Sequence, residues 1–66
     1  MIPILIHNHR SEHWVITTGI ARVQLNDDFF KIGPNEHILI PVKSLHRMEN
    51  IGEEIVEFIE TQIGDY

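Results

Sequence analysis

Turn-forming residues recur so closely along this chain that no helix of ordinary length fits between them. Short runs rich in Ile, Val, Phe and Thr lie between Arg10-Ser11, Gly19, Asn26-Asp27-Asp28, Gly33-Pro34-Asn35-Glu36, Val42-Lys43-Ser44 and Asn50-Ile51-Gly52. The β-branched and aromatic residues suit a pleated, half-buried surface, and the Gly, Pro, Asn, Asp and Ser clusters interrupt it. The pattern predicts strands near 2–8, 12–18, 20–26, 29–33, 37–41, 45–50 and 54–61. Closely spaced short strands of this kind predict an all-β, antiparallel sandwich or barrel.

Period-two alternation supports the reading. Ala21, Val23 and Leu25 fall on one face of a strand and Arg22 and Gln24 on the other. Asn26-Asp27-Asp28 then turns the chain tightly into Phe29-Phe30. Phe29, Phe30 and Phe58 read as core. The last run differs from the others: Ile55 and Ile59 lie on one face, and Val56 and Phe58 on the other. A strand apolar on both faces is usually covered on both. In a chain this short the second cover is expected to be another subunit, so a homodimer is expected.

With 66 residues the chain is a single domain, 1–66, near the lower limit for a self-sufficient core. It has no cysteine, so neither disulfides nor thiolate metal sites can reinforce it. A metal ion, an oligomer interface or both are the remaining supports. The five Lys and Arg form no cluster and the net charge is −5 with His neutral, which disfavours nucleic acid and anionic membranes as partners. No apolar run is long enough for a transmembrane helix. The opening MIPILI reads as a strand and not as a signal peptide, which makes the cytoplasm the default location.

Histidine carries the first functional hint. There are five, and His is the commonest metal-binding side chain. His7 and His9 are two apart, so on a strand they point to the same face. Arg10-Ser11 allows a turn, and Glu12 opens the next strand with a carboxylate beside them. His46 stands on a later strand, after a loop that begins at Pro41. Three imidazoles and a carboxylate suit one divalent ion, zinc first, with Mn, Fe, Co and Ni also accommodated, and leave positions open for water or substrate. His13 faces away from Glu12 and reads as peripheral, and His37 has no evident partner. Trp14 shares a face with Glu12 and Ile16 and reads as core packing beside the ion, with stacking on a sugar as the second role.

The order and spacing of these residues resemble the cupin superfamily. The first cupin motif is HxH, a short gap, Glu, six residues and Gly; here it reads His7-Asn8-His9-Arg10-Ser11-Glu12, six residues, then Gly19. In the second motif Pro41, His46 and Asn50 stand at the motif spacings, while Asn35 and Lys43 take its two glycine positions. The fold this implies is a small antiparallel cupin, a double-stranded β-helix or jelly-roll barrel. The strings HNHRSEHWVITTGIARV, NEHILIPVKSLHRMENIG and EIVEFIETQIGDY further resemble type II mannose-6-phosphate isomerases. The same cupin domain forms the C-terminal part of bifunctional mannose-1-phosphate guanylyltransferases.

That resemblance implies a metal-dependent isomerase that interconverts mannose 6-phosphate and fructose 6-phosphate for polysaccharide precursor synthesis. The ligands would be His7, His9, Glu12 and His46, with Glu12 also the candidate base. Arg10, Arg47 and Lys43 are the candidate phosphate-binding cations, guanidinium being especially suited to phosphate. Leu5 stands where family members often carry Gln, and the chain ends at Tyr66, before their acidic, arginine-bearing tail. No Gly-rich phosphate loop is present, so guanylyltransferase chemistry is not expected of this chain. Two other readings stay open: a non-catalytic small cupin that binds metal or sugar or serves as an accessory domain, and an iron-dependent oxygenase. Isomerase activity on mannose 6-phosphate, or oxygen uptake with ferrous iron, separates them.

Overall fold

The computed structural model describes residues 5–6 and 10–64, with side-chain environments from residue 10 onward. Every regular element in it is a strand. The order is β1 (Leu5–Ile6), β2 (Arg10–Thr18), β3 (Ala21–Leu25), β4 (Asp28–Ile32), β5 (His37–Ile40), β6 (Leu45–Asn50) and β7 (Glu57–Gly64). They form two antiparallel sheets, one ordered β1-β6-β3-β4 and the other β5-β2-β7. The expected antiparallel β architecture is therefore present.

The sandwich closes on alternate residues of each sheet. Trp14, Ile16 and Ile40 come inward from the three-stranded sheet, and Ala21, Val23, Ile32 and Met48 meet them from the other. Leu25, Ile38, Val56 and Phe58 pack against this cluster as partly buried neighbours. Burying each large side chain among them contributes roughly 1.5–3 kcal/mol. The alternation read along residues 21–25 is the one observed, with Ala21 and Val23 fully buried and Arg22 outside, paired with Glu49.

Three expectations need correction. Arg10-Ser11 is not a turn: both residues continue β2, opposite Gly64 and Ile63 of β7. The reason is tertiary, since the last strand runs past residue 61 and supplies the backbone partners that keep this segment extended. It starts correspondingly later, at Glu57, because residues 52–54 bend around Asn50. The Asn50 side chain holds that bend by accepting from the Gly52 N–H and donating to the Glu54 carbonyl. Finally, Phe29 and Phe30 are not core. They are 55% and 42% exposed on β4, an edge strand with β3 as its only neighbour among the described residues. Phe29 lies instead under the Arg22 guanidinium, 5.7 Å from its ring centre.

The turns use left-handed residues where the spacing demands them. Asn26, in the β3–β4 hairpin, has φ 54°. Its N–H donates to the Leu45 carbonyl and its side-chain oxygen accepts from the Leu45 N–H, which ties the hairpin tip to the start of β6. Asn35 (φ 68°) and Lys43 (φ 62°) take the left-handed conformation at both positions where the cupin motif has glycine. Gly19 (φ 86°) passes so close to the chain near Ile55 that an added Cβ would stand 2.7 Å from the Ile55 carbonyl oxygen.

Candidate metal centre

Each sheet sends a fully buried polar side chain into the interior at the same level. Glu12, from the centre of the three-stranded sheet, is 2% exposed, and His46, from β6 of the opposite sheet, is 1% exposed. Glu12 Oε2 and His46 Nε2 are 3.7 Å apart. That is beyond a hydrogen bond. It matches two donors of one ion, since atoms each ~2.1 Å from a common metal stand roughly 3 to 3.7 Å apart.

The surroundings orient both groups. His46 Nδ1–H donates to the Ser44 carbonyl at 3.2 Å, and a carbonyl can only accept. The proton of the neutral ring is thereby held on Nδ1, and the lone pair is on Nε2, the atom facing Glu12. Ser44 is fixed in turn by donating its hydroxyl to the Pro41 carbonyl at 2.6 Å. On the other side, the Trp14 indole N–H is shared between Glu12 Oε1 (3.0 Å) and Glu60 Oε1 (3.1 Å). The indole also stands edge-on to His46, with ring centres 5.4 Å apart. Trp14 is thus core packing beside the candidate centre, as expected.

β7 brings two residues that the sequence did not single out. Glu60 lies directly opposite Trp14 and Gln62 directly opposite Glu12, so both belong to the inward face. The Gln62 amide donates to Glu60 Oε2 at 2.8 Å. Partial burial acts to raise the Glu60 carboxyl. The neighbouring Glu12, Gln62 and Trp14 side chains, with the Arg10 charge, outweigh it and hold the group below its ordinary value. The signal that could have found this pair is the two-residue spacing of Glu60 and Gln62 on a strand.

The nominated residues separate by position. Arg10 alternates with Glu12 and Trp14 on the inward face of β2, with its charge near Glu60. Arg47 follows His46 on β6 and so points to the opposite face, away from it. Lys43 is exposed in the turn that ends at Ser44. His7 and His9 lie outside the described residues. The strand preceding them pairs with β6, Leu5 opposite His46. Among the described residues, no three or more His, Cys, Asp or Glu gather into one cluster. Away from this centre, on the outward face, His13 and His37 share a hydrogen bond, Nε2 to Nδ1, of 2.8 Å. His37 therefore has a partner, and His13 faces away from Glu12 as expected.

An antiparallel sandwich with an inward Glu–His pair, one residue from each sheet, defines a cupin-fold domain. A solved Schizosaccharomyces pombe Cnp3 cupin domain superposes with a TM-score of 0.93 at 23% identity, covering 97% of this chain and 47% of that one. The plu4264 protein of Photorhabdus luminescens superposes with a TM-score of 0.85 at 22% identity, covering 94% and 52%. Within that fold, the chain belongs to the mannose-6-phosphate isomerase C-terminal family, whose sequence model matches residues 1–66. It is 40% identical over 65 residues to mannose-1-phosphate guanylyltransferase ManC of Salmonella typhimurium and 38% identical to alginate biosynthesis protein AlgA of Pseudomonas aeruginosa. Each match takes in 98% of this chain and 14% of the relative, so the chain spans about a seventh of these proteins.

Proposed function

We propose that this domain is a metal-dependent sugar-phosphate isomerase that interconverts mannose 6-phosphate and fructose 6-phosphate in polysaccharide precursor synthesis. The observation that carries the reading is the buried pair Glu12 and His46, 3.7 Å apart, with Arg10 on the same inward face as Glu12. Family membership and relatives named for mannose 1-phosphate and alginate chemistry support the substrate class.

Glu12 and His46, with His7 and His9, would hold the ion. A divalent cation so bound, zinc first, supplies Lewis-acid polarisation of the sugar carbonyl or hydroxyl. Arg10 offers a guanidinium for the phosphate. Isomerisation moves one proton from C2 to C1 through an enediolate, which requires a general base beside the reacting carbons. Glu12, the candidate base, and Glu60 are the two carboxylates on the inward face of the β2–β7 pair. The Trp14 indole wall excludes water on one side.

One observation favours the non-catalytic alternative. Of the three nominated cations, Arg47 lies on the outer face of its strand and Lys43 in an exposed turn, which leaves Arg10 on the inward face. The experiment that separates the two is elemental analysis of the untagged protein followed by an isomerase assay with the metal found. About one divalent ion per chain with turnover of mannose 6-phosphate supports the isomerase. Bound metal without turnover leaves a binding domain.

The domain further pairs with a second copy of itself through the outward face of the three-stranded sheet. Leu39, Ile59 and Ile63 are each more than half exposed there, around the His13–His37 pair. Between Val15 and Ser11 on β2, and at the paired positions of β5 and β7, this face has no Asp, Glu, Lys or Arg. A chain of net charge −5 that keeps one face neutral can pack it on its own copy without like-charge repulsion. Contiguous exposed apolar side chains of this kind mark interaction surfaces.

A further inference from the structure

We infer that His13 and His37 form a second metal site, a two-imidazole chelate for a divalent ion of tetragonal preference such as Cu²⁺, on the outward face of the three-stranded sheet. The site lies on the side of β2 opposite to Glu12 and shares no residue with the candidate centre. It therefore stands or falls independently of that reading.

The register of β2 and β5 places the pair. Leu39 lies opposite His13 and Val15 opposite His37, so the two histidines are diagonal neighbours on one face. Their rings span that diagonal and bring His13 Nε2 within 2.8 Å of His37 Nδ1, edge to face at 89°. The separation selects among ions. Two donors ~2.0 Å from one ion stand roughly 2.8 Å apart at the right angle of tetragonal coordination, and roughly 3.3 Å apart in a tetrahedron. The observed distance is that of adjacent in-plane positions around Cu²⁺, which also tops the affinity order of the divalent first-row ions. Two neutral rings carry two N–H groups, one of them in the hydrogen bond. Binding moves that proton to the far nitrogen of its own ring, which frees both facing lone pairs with no net proton release. His37 is exposed and can turn its lone pair onto the ion, while His13 is half-buried between Leu39 and Thr61 of the flanking strands. No Lys or Arg shares the face between Ser11 and Val15 to repel a cation, and the chain has no cysteine to compete for the ion or reduce it. A second copy packed on this face presents the same pair, and its imidazoles can fill the remaining in-plane positions.

Two donors hold an ion less tightly than four, so titration reads this site, and the metal content of the purified protein does not. The test titrates the full chain with Cu²⁺ and follows it by electron paramagnetic resonance and by paramagnetic broadening of the backbone amide signals. The parent is expected to give a tetragonal spectrum with imidazole nitrogen couplings and to lose the amide signals of Val15, Leu39 and Thr61. His37→Thr, at an exposed strand position that suits threonine, is expected to raise the Cu²⁺ dissociation constant at this face by about 100-fold, the low end of what a second donor already held in place adds. His13→Thr should do the same, and broadening around His46 should be alike in parent and variants. Unchanged affinity at this face in the threonine variants would overturn the inference. So would a loss in only one of them, since a chelate needs both donors, and so would broadening in the parent that spares Val15, Leu39 and Thr61. A protein that holds no ion between Glu12 and His46 leaves these readouts as they are, so failure of that centre is told apart from failure of this one.

Discussion

Glu12 and His46 enter the interior from opposite sheets and meet with Oε2 and Nε2 3.7 Å apart, both almost wholly shielded from solvent. On the proposed metal reading both are ligands of the same ion. His46→Ala is therefore expected to abolish stoichiometric binding of a divalent metal, checked by equilibrium dialysis with elemental mass spectrometry. Retention of one ion per chain in that variant would remove His46 from the ligand set.

Lys43 occupies a left-handed position, φ 62°, that costs an ordinary residue about 1–2 kcal/mol. Glycine adopts it freely but loses more freedom on folding, an opposing effect of about 0.5–1 kcal/mol. Lys43→Gly is expected to stabilise the fold by about 0.5 kcal/mol, read from the urea midpoint. If the ammonium also contacts phosphate, the same variant raises KM for mannose 6-phosphate with kcat little changed.

Gly19 is the reverse case. Its φ of 86° and the 2.7 Å approach to the Ile55 carbonyl oxygen leave no room for a side chain. Gly19→Ala is expected to destabilise by roughly 2–3 kcal/mol, since backbone strain and a backbone contact cannot be relieved by a rotamer change. A loss under 1 kcal/mol in chemical denaturation would contradict the packing described here.

Ile59 is 58% exposed on the neutral outward face, opposite Val15. Ile59→Glu places like charges across a two-fold interface and is expected to raise the dimer dissociation constant at least tenfold, about 1.4 kcal/mol. Analytical ultracentrifugation at micromolar concentration gives the answer. A parent protein that sediments as a monomer would dispose of the dimer.

Much of this fold is legible in local pattern. The alternation at residues 21–25 and the turn residues at 26 and 35 are short-range signals, and the strands they imply are present. Arg10-Ser11 misleads because its extended state depends on partners more than fifty residues away. Phe29 and Phe30 mislead for a related reason. Hydrophobicity tells a residue what it prefers, whereas an edge position decides what it gets. In the candidate centre, Glu12 and His46 are readable from motif spacing and Trp14 from its shared face with Glu12. Glu60 is not, because its place arises from the register of β2 against β7, which no local stretch encodes. The His13–His37 contact likewise joins two strands whose side-by-side placement is a product of the whole sheet.

The register that sets Glu12 against Gln62 and Trp14 against Glu60 also imposes a timetable. β2 is synthesised some forty residues before β7. A nascent chain cannot shield Glu12 until Glu57–Gly64 has been synthesised and has docked along β2. Until then Glu12 stays open to solvent, and the interior takes its polar character only in the final moments of folding.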